Sequence, residues 1–445
     1  MMKDEGAEHA VVALPPPSTA YRRYALCVLL FVFVLNHLDR QVINILAEPI
    51  KHDLGIKDWQ IGLMTGFAFA MLYTVAGLPI AHLAGFYNRS KIIAASVLIW
   101  SAFTALSGFA QNFSQLVLCR VGVGVGEAGC TPPAQSLIVD DTPKARRASV
   151  LSVYHMGVPI GSLFGLALGG LLLDAFGWRV AFVAAGAPGI LMALLVLLTI
   201  RDRRAAAKPS SANAERGQFA TTLRVLASRR TFWLLSLATA FKAFIGYGHA
   251  PFTASFFFRV HGEELAALAA GFGLKPAGFL GLTLGLIFGL AGVSGAWIGG
   301  RLADHAATRD VRAYMSVPAI AAVATIPFTI AAFLADSALL AIMLLVIPSV
   351  LNNIWYGPVH TAQQSLVPPH MRAMATAVLL FVLNLIGLGL GPITVGLISD
   401  YLAGPGGLGP GDGVRWALIL SSLIGLLTFG LFWAARKTIR EELIS

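Results

Sequence analysis

Five ionisable side chains sit where a strongly apolar sequence should not tolerate them. Asp39 and Arg40 fall inside the first long apolar run, Arg120 and Glu127 inside the fourth, and Lys242 midway along the seventh. A charge at the centre of a membrane helix costs about 2.5–3.5 kcal/mol on insertion scales. Four unpaired charges on the first and fourth runs would cost roughly 10–14 kcal/mol, comparable with the whole stability of a typical protein. They must therefore pair or face a water-filled passage. Arg120 and Glu127 are seven residues apart and share a helix face. Asp39 and Arg40 are adjacent, point about 100° apart and do not simply neutralise each other. Partners are expected across the two runs, Asp39 with Arg120 and Arg40 with Glu127, and Asn36 lies one turn before both Asp39 and Arg40. Two readings stay open. The pairs are permanent structural bridges, or they form a protonation-linked switch in which a carboxylate in a drying cavity takes up a proton when its arginine leaves. Arg40 and Arg120 keep their charge throughout, so each is a partner or a contact for a substrate anion.

Lys242 is the one charged group deep in the second half of the chain. It either faces a cavity, where it suits a phosphate or carboxylate headgroup, or snorkels to an interface. Phe244 and Tyr247 lie near it in sequence, and the tenth run carries Asn352, Asn353, Trp355 and Tyr356. Polar groups among aromatics fit a site for an amphiphile, although such stripes also serve plain helix packing. No HExxH, GxSxG or phosphate-loop run appears, and the polar membrane residues form no nucleophile–base set, so an enzyme is not expected. Cys27, Cys119 and Cys130 form no CxxC pair, and neither a disulfide framework nor a metal site is expected. No cofactor is implied.

The elements that must position these groups are apolar runs at roughly 22–50, 59–84, 92–111, 113–139, 148–175, 179–200, 231–259, 277–300, 313–335, 337–361, 372–400 and 413–435. The weakest divisions fall at Gln111-Asn112 and Asp336-Ser337. The chain of 445 residues is 57% hydrophobic and 12% charged, with mean hydropathy +0.75. A soluble domain carries about 25% charged residues, so the outer surface is expected to meet lipid. Net charge is +10, but the basic residues occupy loops and tails, which argues for membrane topology and against nucleic acid. With both termini inside, 23 Lys and Arg fall in tails and inner loops, from Arg22, Arg89 and Arg301 to Arg440. Only Lys51, Lys57, Arg179, Arg259, Lys275 and Arg415 fall in outer loops. That asymmetry places both termini in the cytoplasm.

The expected architecture is an all-α polytopic membrane protein of 12 transmembrane helices in two six-helix bundles, 21–200 and 231–435. Residues 1–20 form a disordered cytoplasmic tail and 436–445 a second tail. The linker 201–230 ends in a surface helix over Gly217 to Arg230, with Phe219, Leu223 and Leu226 on its apolar face and Arg224 toward the headgroups. Six spans, an inner linker and six spans is the layout of a secondary transporter that rocks two halves about a midplane site.

The motifs on this layout resemble the major facilitator superfamily. The loop after the second run reads Ala81-His82-Leu83-Ala84-Gly85-Phe86-Tyr87-Asn88-Arg89-Ser90-Lys91, at the position of the family's G-x-x-x-D-R-x-G-R-R. The fourth run reads Arg120-Val-Gly-Val-Gly124-Val-Gly126, like R-x-x-x-G-x-G. The fifth reads Gly157-Val-Pro159-Ile-Gly161, similar to the Gly-Pro antiporter motif, and Gly300-Arg301-Leu302-Ala303-Asp304 partly repeats the first loop motif. The Asn36-His37-Leu38-Asp39-Arg40 run, Phe86-Tyr87-Asn88-Arg89 and the segment ending at Glu127-Ala look like the Spinster-like branch.

That resemblance implies a secondary transporter of lysolipids or sphingosine-phosphate-type amphiphiles, and proton coupling, a monomeric state and the plasma membrane are expected with it. It places Asp39-Arg40 and Glu127 at coupling positions, and Arg89, Asp304, Gly157, Pro159 and Gly161 at gates. A uniporter or drug/proton antiporter of the same fold is the alternative. One departure stands out: Gly85 and Phe86 replace the loop motif's Asp and Arg. In the family that carboxylate helps lock the inner gate, so its loss is expected to bias the protein toward the inward-open state.

Overall fold

A computed structural model describes residues 18–143, 146–203, 222–368 and 371–443. The twelve spans are helices throughout. In the first half they are α1 (Thr19–Leu54), α2 (Asp58–Gly62 continuing to Ala68–Phe86), α3 (Arg89–Ser107), α4 (Phe113–Ala128 and Thr131–Asp141), α5 (Arg147–His155, then 157–176) and α6 (178–199). In the second half they are α7 (Arg230–Val260), α8 (Pro276–Ala307), α9 (Ala313–Leu334), α10 (Ala338–Leu351 and Tyr356–Ser365), α11 (Arg372–Val382 continuing to Gly391–Ala403) and α12 (Gly409–Ser422 and Ile424–Glu442). Among the described residues, nine helices are long and apolar enough to cross a membrane. One of the nine holds both α5 and α6, which meet at Gly177 with φ 83° and ψ 169°, a backbone state that glycine reaches without a Cβ clash. The two spans outside the nine are α4, broken into two pieces, and α7, which carries Lys242.

Both doubtful divisions are present: Ser107 is followed by α4 at Phe113, and Leu334 by α10 at Ala338. The sequence offers bends at Pro132-Pro133 and Pro159, and two of the breaks inside spans fall beside them. α4 breaks at Gly129-Cys130, just before Pro132 and Pro133, which take the first turn of the next helix. α5 breaks at Met156, one turn before Pro159, and α10 opens into turns over 352–355. Wide π turns interrupt α2 at Leu63–Phe67 and α11 at Leu383–Leu390. A short helix absent from the sequence reading, Gly262–Gly271, follows α7.

An even number of spans puts both described chain ends on one side, here the terminus end; the other is the far end. The linker helix expected over Gly217 to Arg230 appears as helix at 222–228, while Phe219 and the tail 1–17 lie outside the described residues. That helix docks on the second half rather than lying free: Leu226 is buried with Phe232, Leu366, Val367, Met371 and Ala375, while Arg224 stays exposed. At the same end Glu442 of α12 accepts the backbone N–H groups of Arg230 and Thr231 and so caps α7.

Candidate transport site and gates

The charges of the first half converge between α1, α2, α3 and α4. Arg40 Nε donates to Glu127 Oε2 at 2.5 Å, and its guanidinium lies over the rings of Phe69 at 4.8 Å and Tyr73 at 4.7 Å. The expected Arg40–Glu127 pairing is therefore formed. The expected Asp39–Arg120 contact is not. Asp39 turns to α3, where Thr104 donates to its Oδ2 at 3.1 Å, and the Arg120 guanidinium lies 5.6 Å from the centre of the Phe69 ring. Helix depth explains the miss. Glu127 is level with Arg40, so Arg120, seven residues earlier, starts about 10 Å away along the axis at 1.5 Å per residue.

Asp39, Arg120 and Glu127 are each only 1% exposed. Yet Asp39 Oδ1, Glu127 Oε1, Asn36 Nδ2 and Arg120 Nε and Nη1 have no hydrogen-bond partner among the described residues. Each unsatisfied buried polar group costs about 1–3 kcal/mol, more when charged. A finished structural bridge would not leave so many open valences. The arrangement can accept protons, water or an anionic group, and one arginine, Arg40, is its single contact tie.

In the second half Lys242 is buried, 4% exposed, and its ammonium has no hydrogen-bond or ion-pair partner among the described residues. Two turns along the same face His249 meets Ser421 Oγ at 2.9 Å. Asn352 sits at the break in α10, beside Gly246 of α7, with its Oδ1 unpartnered. Asn353 instead donates to Ser349 O at 2.9 Å within its own helix and faces Gly295 of α8. Trp355 packs into a core with Leu235 and Phe432 and stacks on Tyr356 at 4.1 Å, and Tyr356 is 41% exposed. Phe244 is buried where α7 crosses Gly391, and Tyr247 is half-buried beside it. Lys242, Asn352, Tyr247 and Tyr356 are thus available to a ligand, whereas Asn353 and Trp355 are engaged in packing.

The residues expected at gates divide by partner. Gly157 and Gly161 pack on Phe33 and on the Val34 carbonyl of α1, inside their own half; Pro159 faces Gly289 and Gly292 of α8 across the seam. Arg89, 1% exposed, binds Asp202 at 2.7 Å, Asp140 at 2.5 Å and Ser136 at 2.7 Å, all in the first half. Asp304 accepts from Tyr314 OH at 3.2 Å in the second half. The packing around Gly85 lies outside the described residues.

At the far end the halves are tied to each other. Arg259 of α7 donates to both oxygens of Glu48 (2.8 and 2.6 Å) and both of Asp58 (2.8 and 2.7 Å). Lys51 and Ser399 also reach Asp58, each at 2.6 Å, and Asp400 of α11 accepts the N–H groups of Asp58 and Trp59. On the opposite flank Asp174 of α5 accepts the Ala277 and Gly278 N–H groups that begin α8. Glycines bring the backbones together along this seam: a Cβ on Gly66 would lie 2.7 Å from the Leu388 carbonyl, and one on Gly62 would overlap the Pro392 backbone. Sequence reasoning missed this seal because Arg259 was counted as a loop charge. The signal was Glu48, an uncounted acid inside the first apolar run.

Two six-helix bundles sealed at one end, with buried charges at mid-depth, define an alternating-access membrane transporter. The Major Facilitator Superfamily profile matches residues 29–392. An MFS-type efflux pump of Mycolicibacterium smegmatis is 34% identical over 421 residues, covering 94% of each chain. Protein spinster homolog 1 of Mus musculus is 27% identical over 433 residues, 93% of this chain and 80% of the mouse protein. The crystal structure of a bacterial homolog to the human lysosomal transporter Spinster, inward-facing and unoccupied, superposes with TM-score 0.85 at 32% identity, covering 96% of this chain and 100% of that one. The same homolog in its inward-facing, occupied form gives 0.84 at 31%. The chain belongs to the major facilitator superfamily and, within it, is a Spinster-like transporter.

Proposed function

We propose that this protein is a proton-coupled transporter of amphiphilic anions of the lysophospholipid or sphingosine-phosphate type, working as a monomer in the plasma membrane with both termini cytoplasmic. On this reading the far end is extracellular, and the conformation described is inward-facing. The observation that carries the proposal is the buried quartet of Asp39, Arg40, Arg120 and Glu127, held by one contact ion pair and the Thr104 hydroxyl on Asp39, with Asp39 Oδ1, Glu127 Oε1 and two Arg120 nitrogens unpartnered among the described residues. When a substrate anion enters beside the pair and draws the Arg40 side chain off Glu127 within the first half, the abandoned carboxylate takes a proton from the side then open, and return of the arginine expels it. Arg120 offers a permanent cation and Lys242 a buried amine without a partner among the described residues to a headgroup, and Asn36, Tyr247, Asn352 and Tyr356 offer polar and aromatic surface beside them. The resemblance to Spinster proteins supports the lipid assignment.

Reconstitution in liposomes with a lysophospholipid panel and an internal pH dye tests it. One lipid class should move protons, Glu127→Gln should abolish proton movement, and Asp39→Asn should impair it. Lipid flux in the unaltered protein that ignores the pH gradient, with Asp39→Asn still active, removes the coupling and leaves a uniporter. The 34% identity to an efflux pump favours one second reading, drug export. Proton movement driven by a hydrophobic drug, with every lysolipid silent, selects that reading.

A further inference from the structure

A second basic site lies away from the seam. At the terminus end of the first half, the start of α1, the end of α4, the start of α5 and the residues after α6 enclose a crevice of about 360 Å³, its open mouth included. Its floor is apolar, formed by Leu29, Ile138 and Ile200, and its rim is charged, formed by Arg22, Arg201 and Asp141. Arg22 Nε is buried and has no hydrogen-bond partner among the described residues. Arg203 adds a third guanidinium, 5.4 Å from the ring of Tyr21. Arg22 and Arg201 against the single lining carboxylate of Asp141 leave positive charge in excess beside an oily floor.

Local bonding holds the crevice open. Tyr21 OH accepts the Arg201 N–H at 2.7 Å and donates to the Thr199 carbonyl at 3.3 Å, while Tyr24 OH donates to Thr199 Oγ1 at 2.9 Å. These bonds fix the end of α6 to the start of α1, with two tyrosines where aromatic residues mark the headgroup layer. All lining residues belong to the first half, so the crevice does not open or close with the seam between halves.

We infer that this crevice binds the phosphate headgroup of an anionic phospholipid of the adjoining leaflet, with Arg22 and Arg201 on the phosphate and the start of an acyl chain on Leu29, Ile138 and Ile200. The shared chemistry is a phosphate ester or free phosphate. The apolar floor selects the lipid, since inorganic phosphate would leave that surface against water. Basic pockets between helices at an anionic membrane surface bind such headgroups. The assignment rests on the reading that the terminus end faces the cytoplasmic leaflet, but not on proton coupling or on the transported substrate.

Native mass spectrometry of the full chain tests it directly, after exchange into detergent with phosphatidylglycerol, with phosphatidylcholine, or with inorganic phosphate alone. Phosphatidylglycerol should be retained at least tenfold more than phosphatidylcholine, and the Arg22→Gln/Arg201→Gln variant should lose that preference. Equal retention of the two lipids, or a preference unchanged in the variant, overturns the inference. Binding of inorganic phosphate without lipid overturns it in favour of a free-anion site. A measurement on the unaltered protein guards against a variant that fails to fold: photoactivatable phosphatidylglycerol in nanodiscs should label peptides within residues 20–30 or 137–151. Labelling confined to other regions overturns the site. None of these readouts uses transport, so failure of the proposed function leaves them intact.

Discussion

The two ends of this transporter use charge in opposite ways. At the far end the strong ion pairs run between halves, with Arg259 of the second half clamping Glu48 and Asp58 of the first. At the terminus end, among the described residues, they run within halves: Arg89 with Asp140 and Asp202, and Arg440 with Asp310. A bond inside a rigid half survives rocking and only stabilises that half. A bond across the seam exists in one state and is lost in the other, so it sets the balance between states. The far end is built as a latch and the terminus end as two separately braced surfaces, and the apparent preference for the far-closed state follows from where the pairs are drawn.

The strongest way to break the contrast is steric. Gly62→Leu places a side chain in the Pro392 backbone, which a packed seam cannot absorb. The far-closed state should disappear and transport should stop, while the folded protein still elutes as a single species. Spin labels in the far-end loops around 55–57 and 404–408 should report only the wider separation, and a persistent short distance refutes the steric latch. Next comes Arg259→Gln. In the closed state only, it takes the arginine from buried Glu48 and leaves Asp58 with Lys51 as its remaining cation. Breaking such a pair costs about 3–5 kcal/mol, so the same labels should show a shift toward far-open on the order of a hundredfold or more. An unchanged distance distribution would sink the ionic latch.

Gly85→Asp sharpens the comparison from the other end. It restores the carboxylate that the loop motif carries and should create a contact across the terminus-end seam. An exposed pair contributes about 0.2–1 kcal/mol, so the gain in the far-open state should be only a few-fold, best read in the Arg259→Gln background as trapping by a disulfide across the terminus-end gate. No increase in trapping removes the proposed bias. The smallest effect belongs to a far-end contact that lies within one half. Glu264 accepts Ala338 N–H and Ser337 Oγ, each at 2.7 Å, at the start of α10. The Ala338 N–H and then the Ser337 hydroxyl hold its carboxyl below its ordinary value. A depressed value contributes stability above the unfolded-state pKa that is lost as pH falls through the folded one. Glu264→Gln should therefore lower Tm slightly at pH 7, with the difference fading on acidification and the spin-label populations unmoved. A change in populations would show that far-end position alone, rather than crossing the seam, governs the balance.

Much of this was legible in the sequence because a bilayer imposes one-dimensional rules. The twelve spans, the even count and the positions of the five deep charges all follow from runs of about 20 apolar residues and the few groups that interrupt them. The breaks within spans were less legible. Pro132-Pro133 and Pro159 mark the breaks in α4 and α5, whereas Asn352-Asn353 alone does not dictate the turns at 352–355, because helices in lipid are broken only where neighbouring protein re-satisfies the backbone.

Sequence alone determined that Asp39, Arg40, Arg120 and Glu127 had to be neutralised or hydrated, since the cost of a charge in hydrocarbon needs no knowledge of the neighbours. Which pairs form was decided by tertiary structure. Arg40 meets Glu127 because their helices place them at one depth, Asp39 turns to Thr104 of α3, and Arg120 starts two turns away and lies on Phe69. The latch of Arg259 on Glu48 and Asp58 joins residues some 200 positions apart. Its existence depends on the relative depth and rotation of helices from different halves, which a local pattern of residues does not encode.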